Sequence, residues 1–234
     1  ICNNKGINVL HLAVVKNHHY IVKMLLESDF MLELETDEGM TALQLAAFHG
    51  HFQIIEHFIA HLKSKGDREL KNRVLNKVNP KSHLSTLAYS ILKEYNNISQ
   101  ALIEFGARCY YDENDESKDF SPIFMAVQKK KPDLLELMCD HGALLTVKNS
   151  VGMTPLMFAA EKDYYPIVNY LSLRTRDLNE EDSNSITILT HQLYQHNLTM
   201  ASRLIVRGAS IDYVNRNGHT ALHIMVESKN KHAV

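Results

Sequence analysis

Tryptophan is absent, glycine and proline are scarce at nine and five residues in 234, and cysteine occurs three times. So few turn formers argue against a chain of many short strands and for a helix-rich one. Cys2, Cys109 and Cys139 are odd in number and far apart, which does not suggest a disulfide framework or a paired-thiolate metal site. A reducing cytoplasmic or nuclear compartment is the expectation. No apolar run approaches the roughly 18 residues a helix needs to cross a bilayer. The chain opens Ile1-Cys2-Asn3 with neither an initiator Met nor a signal-like apolar segment, and so reads as an internal or trimmed piece. A formal net charge of −2 argues against a protein that clamps nucleic acid through overall charge.

What is present is ample apolar material: 45% hydrophobic and 22% charged residues, close to the averages for soluble folded proteins. It is periodic. Gly6, Gly39, Gly152 and Gly218 each stand four residues before Leu10, Leu43, Leu156 and Leu222, and Ile123, Leu156, Leu189 and Leu222 follow one another at intervals of 33. Within each unit come apolar residues at helical spacing, as in Leu43, Ala46 and Ala47, then a second stripe such as Ile54, Ile55, Phe58 and Ile59. Each unit therefore reads as two short antiparallel helices. Thr154 before Pro155 suits a helix N-cap followed by proline at the first helical position, where its missing N–H costs nothing. Gly50, Gly106, Gly142 and Gly208 fall where helices should stop. A single unit cannot bury its own apolar face, so stability must come from stacking.

Three segments, Thr154-Pro155-Leu156-Met157-Phe158-Ala159-Ala160, Thr41-Ala42-Leu43-Gln44-Leu45-Ala46-Ala47-Phe48-His49-Gly50-His51 and Asn217-Gly218-His219-Thr220-Ala221-Leu222-His223, resemble the G-x-TPLH-x-AA-x-x-GH pattern of ankyrin repeats. The resemblance implies an all-α solenoid of about seven helix-turn-helix repeats with short β-turn fingers. The repeats run at about 3–35, 36–62, 82–111, 118–147, 148–180 and 181–212, with an incomplete one at 213–234. The third and sixth are degenerate: Ser85-Thr86-Leu87-Ala88 and Thr187-Ile188-Leu189-Thr190 replace the tetrapeptide, and Asn96 and Asn197 stand where the inter-helix Gly-His would end.

The period breaks twice. Leu43 to Leu87 is one period plus 11 residues, and the excess is a basic insertion at 63–81 with a local charge of +5. Its apolar residues Leu70, Val74, Leu75 and Val78 are helically spaced and Asn79-Pro80 would end the run, which predicts an extra helix or an extended second helix. A three-residue excess falls in the acidic finger at 112–119, where the charge is −4. Charged surface insertions are ordinarily solvated loops. The functional alternative is that Arg68, Lys71, Arg73 and Lys77, and Asp112, Glu113, Asp115 and Glu116, meet partners of opposite sign, because solenoid insertions map to one face and often to the binding face.

Fourteen histidines invite a metal hypothesis, but His11 and His223 occupy the tetrapeptide histidine position, whose family role is a structural hydrogen bond, and His51 sits in the Gly-His turn. Only His57 and His61, four apart, have helical ligand spacing, and they lack cysteine or carboxylate partners at metal-site spacing. No metal or cofactor is expected. Nor is catalysis, since no nucleophile elbow, zinc-helix motif, phosphate loop or dinucleotide fingerprint occurs. Lys129-Lys130-Lys131 reads as a solvated turn, with an acidic protein tail, a phosphoinositide headgroup or, without interleaved aromatics, least of all nucleic acid as the alternatives. The methionines Met125, Met138, Met153 and Met157 read as core filler.

The family resemblance implies that a protein partner binds a concave surface through finger tips and first-helix faces. Carried over to this chain, that surface is Asp37, Glu38, Met40, Phe48, His49, Phe120, Ser150, Val151, Met153, Glu161, Tyr194, Arg216, Asn217 and His219. Met40, Phe48, Phe120, Met153 and Tyr194 are expected to be its exposed apolar anchors. The leading expectation is an interaction scaffold or adaptor in the cytoplasm. The alternatives are the cytosolic repeat region of a larger membrane protein, such as a channel or acyltransferase, and a component of a cytoskeletal or ciliary assembly.

Overall fold

Short helices follow one another in pairs. The computed structural model of the chain describes residues 3–27, 32–111 and 116–231. Its helices are α1 Val9–Val15, α2 His19–Leu25, α3 Ala42–His49, α4 Phe52–Lys65, α5 Arg68–Leu75, α6 Thr86–Leu92, α7 Asn96–Phe105, α8 Pro122–Gln128, α9 Pro132–Asp140, α10 Pro155–Glu161, α11 Tyr165–Ser172, α12 Ile188–Tyr194, α13 Leu198–Val206 and α14 Ala221–Lys231. A 3-10 turn covers Lys118–Phe120. Among the described residues there is no sheet, only two isolated antiparallel bridges, Glu35 with Thr41 and Val78 with Ser85. The chain forms two compact units: one takes residues up to Tyr111 with Phe120–Lys129 and Asp133–Ala143, the other essentially everything from Leu144 onward. In the first, α1 packs on α3 and α3 on α6, while α2 packs on α4 and α4 on α7; in the second, α10 packs on α12 and α12 on α14.

The first helix of a repeat starts at a hydroxyl or amide. Asn8, Thr41, Ser85, Thr154 and Thr187 are N-caps whose side chains accept from the backbone N–H three residues on, at 2.8 to 3.3 Å. Each satisfies an otherwise orphaned donor. Ser121 precedes Pro122 but does not cap; its Oγ accepts from the Tyr111 N–H instead, at 3.2 Å. The residue three positions inward from the cap then reaches to the segment that leads into the next repeat. His11 Nε2 lies 3.1 Å from the Leu34 carbonyl, and Gln44, at the same register, donates to the Lys77 carbonyl at 2.8 Å.

The turn between paired helices has the same left-handed backbone in every repeat where it is described. The left-handed residue there is Gly50 in the second repeat, but Asn17, Glu94, Lys130, Asp163 and His196 in the others, with φ of 54 to 61°. Asn96 and Asn197 therefore lie past the turn, within or capping the second helix. A non-glycine residue in this conformation costs about 1 kcal/mol. The turn is held because the following N–H closes a Schellman-type bond to the carbonyl five residues back, as Asn197 does to Gln192 at 2.9 Å. At Gly50 glycine is doubly required, since an added Cβ would also stand 2.7 Å from the Tyr95 ring.

The basic insertion contains both predicted forms of helix. α4 runs on to Lys65, Gly66 ends it at φ 63°, and Asp67 caps α5 through the Glu69 and Leu70 N–H groups. Leu70, Val74 and Leu75 are buried, but the helix stops at Leu75, short of the predicted end. Val78 instead joins the bridge to Ser85.

Candidate interaction surface

Each finger is built on one side chain that holds the reversed backbone. Asn149 Oδ1 accepts from the Val151 and Met153 N–H groups at 3.2 and 2.8 Å. Asp182 does the same for Asn184 and Ile186, and Asn215 for Asn217 and His219. These three stand 33 apart and form Asx turns, whose short acceptor mimics a backbone turn. Gly152, Ser185 and Gly218 supply the positive φ that closes them, and His83 supplies it in the third repeat. Neighbouring fingers are bonded together: Asn79 donates to the Glu38 carbonyl at 3.0 Å, Asn215 to the Ser185 carbonyl at 2.8 Å, and Lys148 to the Glu181 carbonyl at 3.0 Å. The tips are thereby displayed on a fixed support.

In the first unit, Asp37 and Glu38 are exposed at a finger tip and His49 is exposed at the end of α3. Met40 and Phe48, expected to be exposed, are half-buried. Phe48 lies edge-on to the Tyr89 ring at 5.9 Å, with the Lys93 ammonium 4.1 Å from its centroid. That contact across repeats, to a residue 41 positions later, was invisible to periodicity. Phe120 is exposed and stacks on His83 at 6.0 Å.

In the second unit, Ser150 and Val151 are exposed at a tip, and Glu161 and Tyr194 on α10 and α12. The Ser150 N–H donates to Asp119 at 2.7 Å. Met153, also expected to be exposed, is half-buried in a cleft with Met157, Ile186 and His191. Asn217 is exposed, and His219 is half-buried and stacked on His223 at 5.9 Å. Arg216 reaches solvent, yet its Nε lies 3.0 Å from Oε2 of Glu181, whose carboxylate is 4% exposed. Glu181 Oε1 also accepts from the Arg216 N–H and the Tyr213 hydroxyl, both at 3.0 Å. Beside that carboxylate the Tyr213 phenol is held above its ordinary pKa, first by the hydrogen bond it donates.

The inserted charges have neighbours within the chain. Arg73 makes a forked contact with Glu33 at 3.1 to 3.2 Å and a second with Glu69 at 3.1 Å, which raises its pKa. Lys77 pairs with Glu35 at 2.5 Å. The Lys71 ammonium sits 4.3 Å over the Phe105 ring. Arg68 is exposed. Of the acidic finger, Glu116 is exposed, and Asp112, Glu113 and Asp115 lie outside the described residues. Lys129 approaches Glu94 at 3.5 Å and Lys130 covers Tyr164 at 4.4 Å.

His57 and His61 line an open cleft of the first unit with Lys23, Glu27, Ser64 and Lys65. Among the described residues no three His, Cys, Asp or Glu side chains come together as a metal site. Burial, then the neighbouring His19 and Lys23, lower the His57 pKa. No helix among them is long and apolar enough to cross a membrane.

A family model described as ankyrin repeats, three copies, matches residues 1–69, 87–182 and 156–234. An Acanthamoeba polyphaga mimivirus protein, provisionally named an ankyrin repeat protein, is 24% identical over 97% of this chain and 29% of its own length. A Danio rerio protein, provisionally named a palmitoyltransferase, is 23% identical over 86% of this chain and 30% of its own. The chain thus spans less than a third of these relatives. The crystal structure of the ankyrin repeat domain of Bcl-3, a member of the IkappaB protein family, superposes with a TM-score of 0.70 at 18% identity, covering 94% of this chain and 95% of that one. With its caps, its fingers and the family match over most of its length, this chain belongs to the ankyrin repeat family.

Proposed function

We propose that the chain is a non-catalytic scaffold or adaptor that holds a protein partner on its finger tips and first-helix faces. Ankyrin repeats are in general protein–protein interaction modules. The observation that carries the reading here is the exposure of Phe120, Val151 and Tyr194 on elements whose backbones are bonded into place. An aromatic or branched side chain held in solvent on a rigid support is ready to bury area with little ordering cost. We place it in the cytoplasm, a reducing compartment in which cysteines such as Cys109 stay thiols. The test is photo-crosslinking in native extract from Phe120 and Tyr194, with Glu104 on a second helix as the comparison. One protein captured at both positions and not at 104 supports the reading; capture mainly from 104 sinks it.

A second reading makes this stack the regulatory or assembly region of a larger membrane protein or enzyme. The similarity to the Danio rerio protein, which covers under a third of that protein, favours it. Apolar spans in the coding sequence beyond these 234 residues would decide for it.

A further inference from the structure

Stacking surfaces in a periodic fold should be equally covered one repeat apart, and at one face of the first unit they are not. Leu12 on α1 is 52% exposed, whereas Leu45, Tyr89 and Met125, at the same register in the next three repeats, are 9%, 4% and 5% exposed. Ile21 on α2 is 46% exposed, whereas Ile54 and Ile98 are fully buried and Leu134 nearly so. Val9 and Met24 are exposed beside them. In each later repeat of the unit this is the face that the preceding helix pair covers, as α1 covers α3 and α2 covers α4. A terminal repeat of a solenoid ordinarily carries a polar outer face for solubility. Val, Leu, Ile and Met across both helices are the opposite of a cap.

An independent observation comes from the second unit. Leu222, at the central leucine register, is 66% exposed, against 2% and 1% for Leu156 and Leu189. It stands on α14, a first helix with no second helix paired to it among the described residues.

We propose that the α1–α2 face is a stacking surface for a further ankyrin-type helix pair of the same polypeptide. The occupant is identified by register, since a surface built like three others in the same unit takes the element they take. A second copy is the poorer candidate. It would have to offer a complete forward face, and the one on α14 shows no second helix among the described residues. Relatives roughly three times the length of this chain have room for such a repeat, and a linked repeat acts at high effective concentration.

The test uses two lengths of polypeptide: these 234 residues, and the same chain extended by what its gene encodes ahead of Ile1. Each is made with and without Leu12→Lys. The extended chain should gain helical ellipticity and melt at least about 3 °C higher, the shift that one extra kcal/mol gives a domain of this size. L12K should leave the shorter chain within about 1 °C and remove the gain from the longer one. A coding region with no helix pair ahead of Ile1, an extension that adds no stability, or L12K neutral at both lengths overturns the proposal. So does sedimentation showing a dimer of the extended chain that L12K dissolves, which would give the face to a second copy. None of these readouts involves an external partner, so failure here is separate from failure of the adaptor reading.

Discussion

Glu181 should be a stability determinant of the second unit, although no motif marks it. Its carboxylate is buried beneath the last finger, accepts two hydrogen bonds at 3.0 Å and lies 3.0 Å from the Arg216 guanidinium. Hydrogen bonds to a charged group contribute about 1.5–3 kcal/mol each. The Arg216 side chain is 65% exposed, so the ion pair itself is screened and adds little. Glu181→Ala deletes Oε1, the acceptor of both bonds, and leaves the Arg216 N–H and Tyr213 hydroxyl to find water at a half-closed site. The expected loss is about 2–3 kcal/mol, read as a lower urea midpoint at unchanged slope. Glu181→Gln keeps one acceptor oxygen for the same two donors and should lose only about 1 kcal/mol. Arg216→Ala should lose less still. An E181A midpoint within about 0.5 kcal/mol of the parent, the usual span for surface changes, would refute the reasoning. So would an R216A loss larger than that of E181A, because the stabilisation would then reside in the exposed ion pair.

Leucines at one repeat position should respond oppositely: Leu43→Ala, in the core, should cost about 2–5 kcal/mol, and Leu222→Ala, on a solvent-facing turn of helix, less than about 0.5 kcal/mol, both by chemical denaturation. His196→Gly, which relieves a left-handed φ of 56°, should stabilise by about 1 kcal/mol, whereas Gly50→Ala should destabilise, since its Cβ meets Tyr95. Burial lowers the pKa of His11, His51 and His57 below 6.5. The unfolded chain therefore binds protons first on acidification, and the stability these groups contribute is present above pH 6.5 and lost as pH falls below it. Urea midpoints from pH 7.5 to 5.0 should fall, and the combined replacement of His51 and His57 by glutamine should flatten the slope.

The fold was legible because its rules are local and repeated. Leu10, Leu43, Leu87, Ile123, Leu156 and Leu189 are the same buried position six times, and a threonine before an apolar run needs no tertiary context to act as a cap. What escaped the sequence were contacts across repeats at variable positions. Phe48 reads as exposed from its position on the first helix, but Tyr89 and Lys93 of the next repeat cover it. Glu181 was passed over because a carboxylate at a repeat boundary resembles any surface acid until Tyr213, Arg216 and Lys148 converge around it and its backbone. The left-handed residues of the other inter-helix turns, Glu94 and His196 among them, carry no mark in the sequence, because glycine stands at that place only in the second repeat. The backbone bonds, not the residue type, fix that turn.

The basic insertion shows how charge counted along a sequence overstates charge presented to a partner. Of the four cations assigned a contact role, Arg73 and Lys77 face Glu33 and Glu35 from the end of the first repeat, and Lys71 covers an aromatic ring. Pairs this exposed hold their geometry loosely and are screened by salt. An acidic partner would compete with Glu33 and Glu35 for cations already neutralised nearby, and its gain in Coulomb energy would shrink by what those pairs lose. Arg68, exposed on the first turn of α5, stands outside these pairs. If the insertion contacts an acidic surface, Arg68→Glu should therefore weaken the interaction more than Arg73→Glu or Lys77→Glu in a pull-down with the crosslinked partner. Charge reversal at Arg73 or Lys77 should act chiefly on the stability of α5 against the first repeat, a loss that denaturation of the isolated chain would register and that Arg68→Glu would not produce.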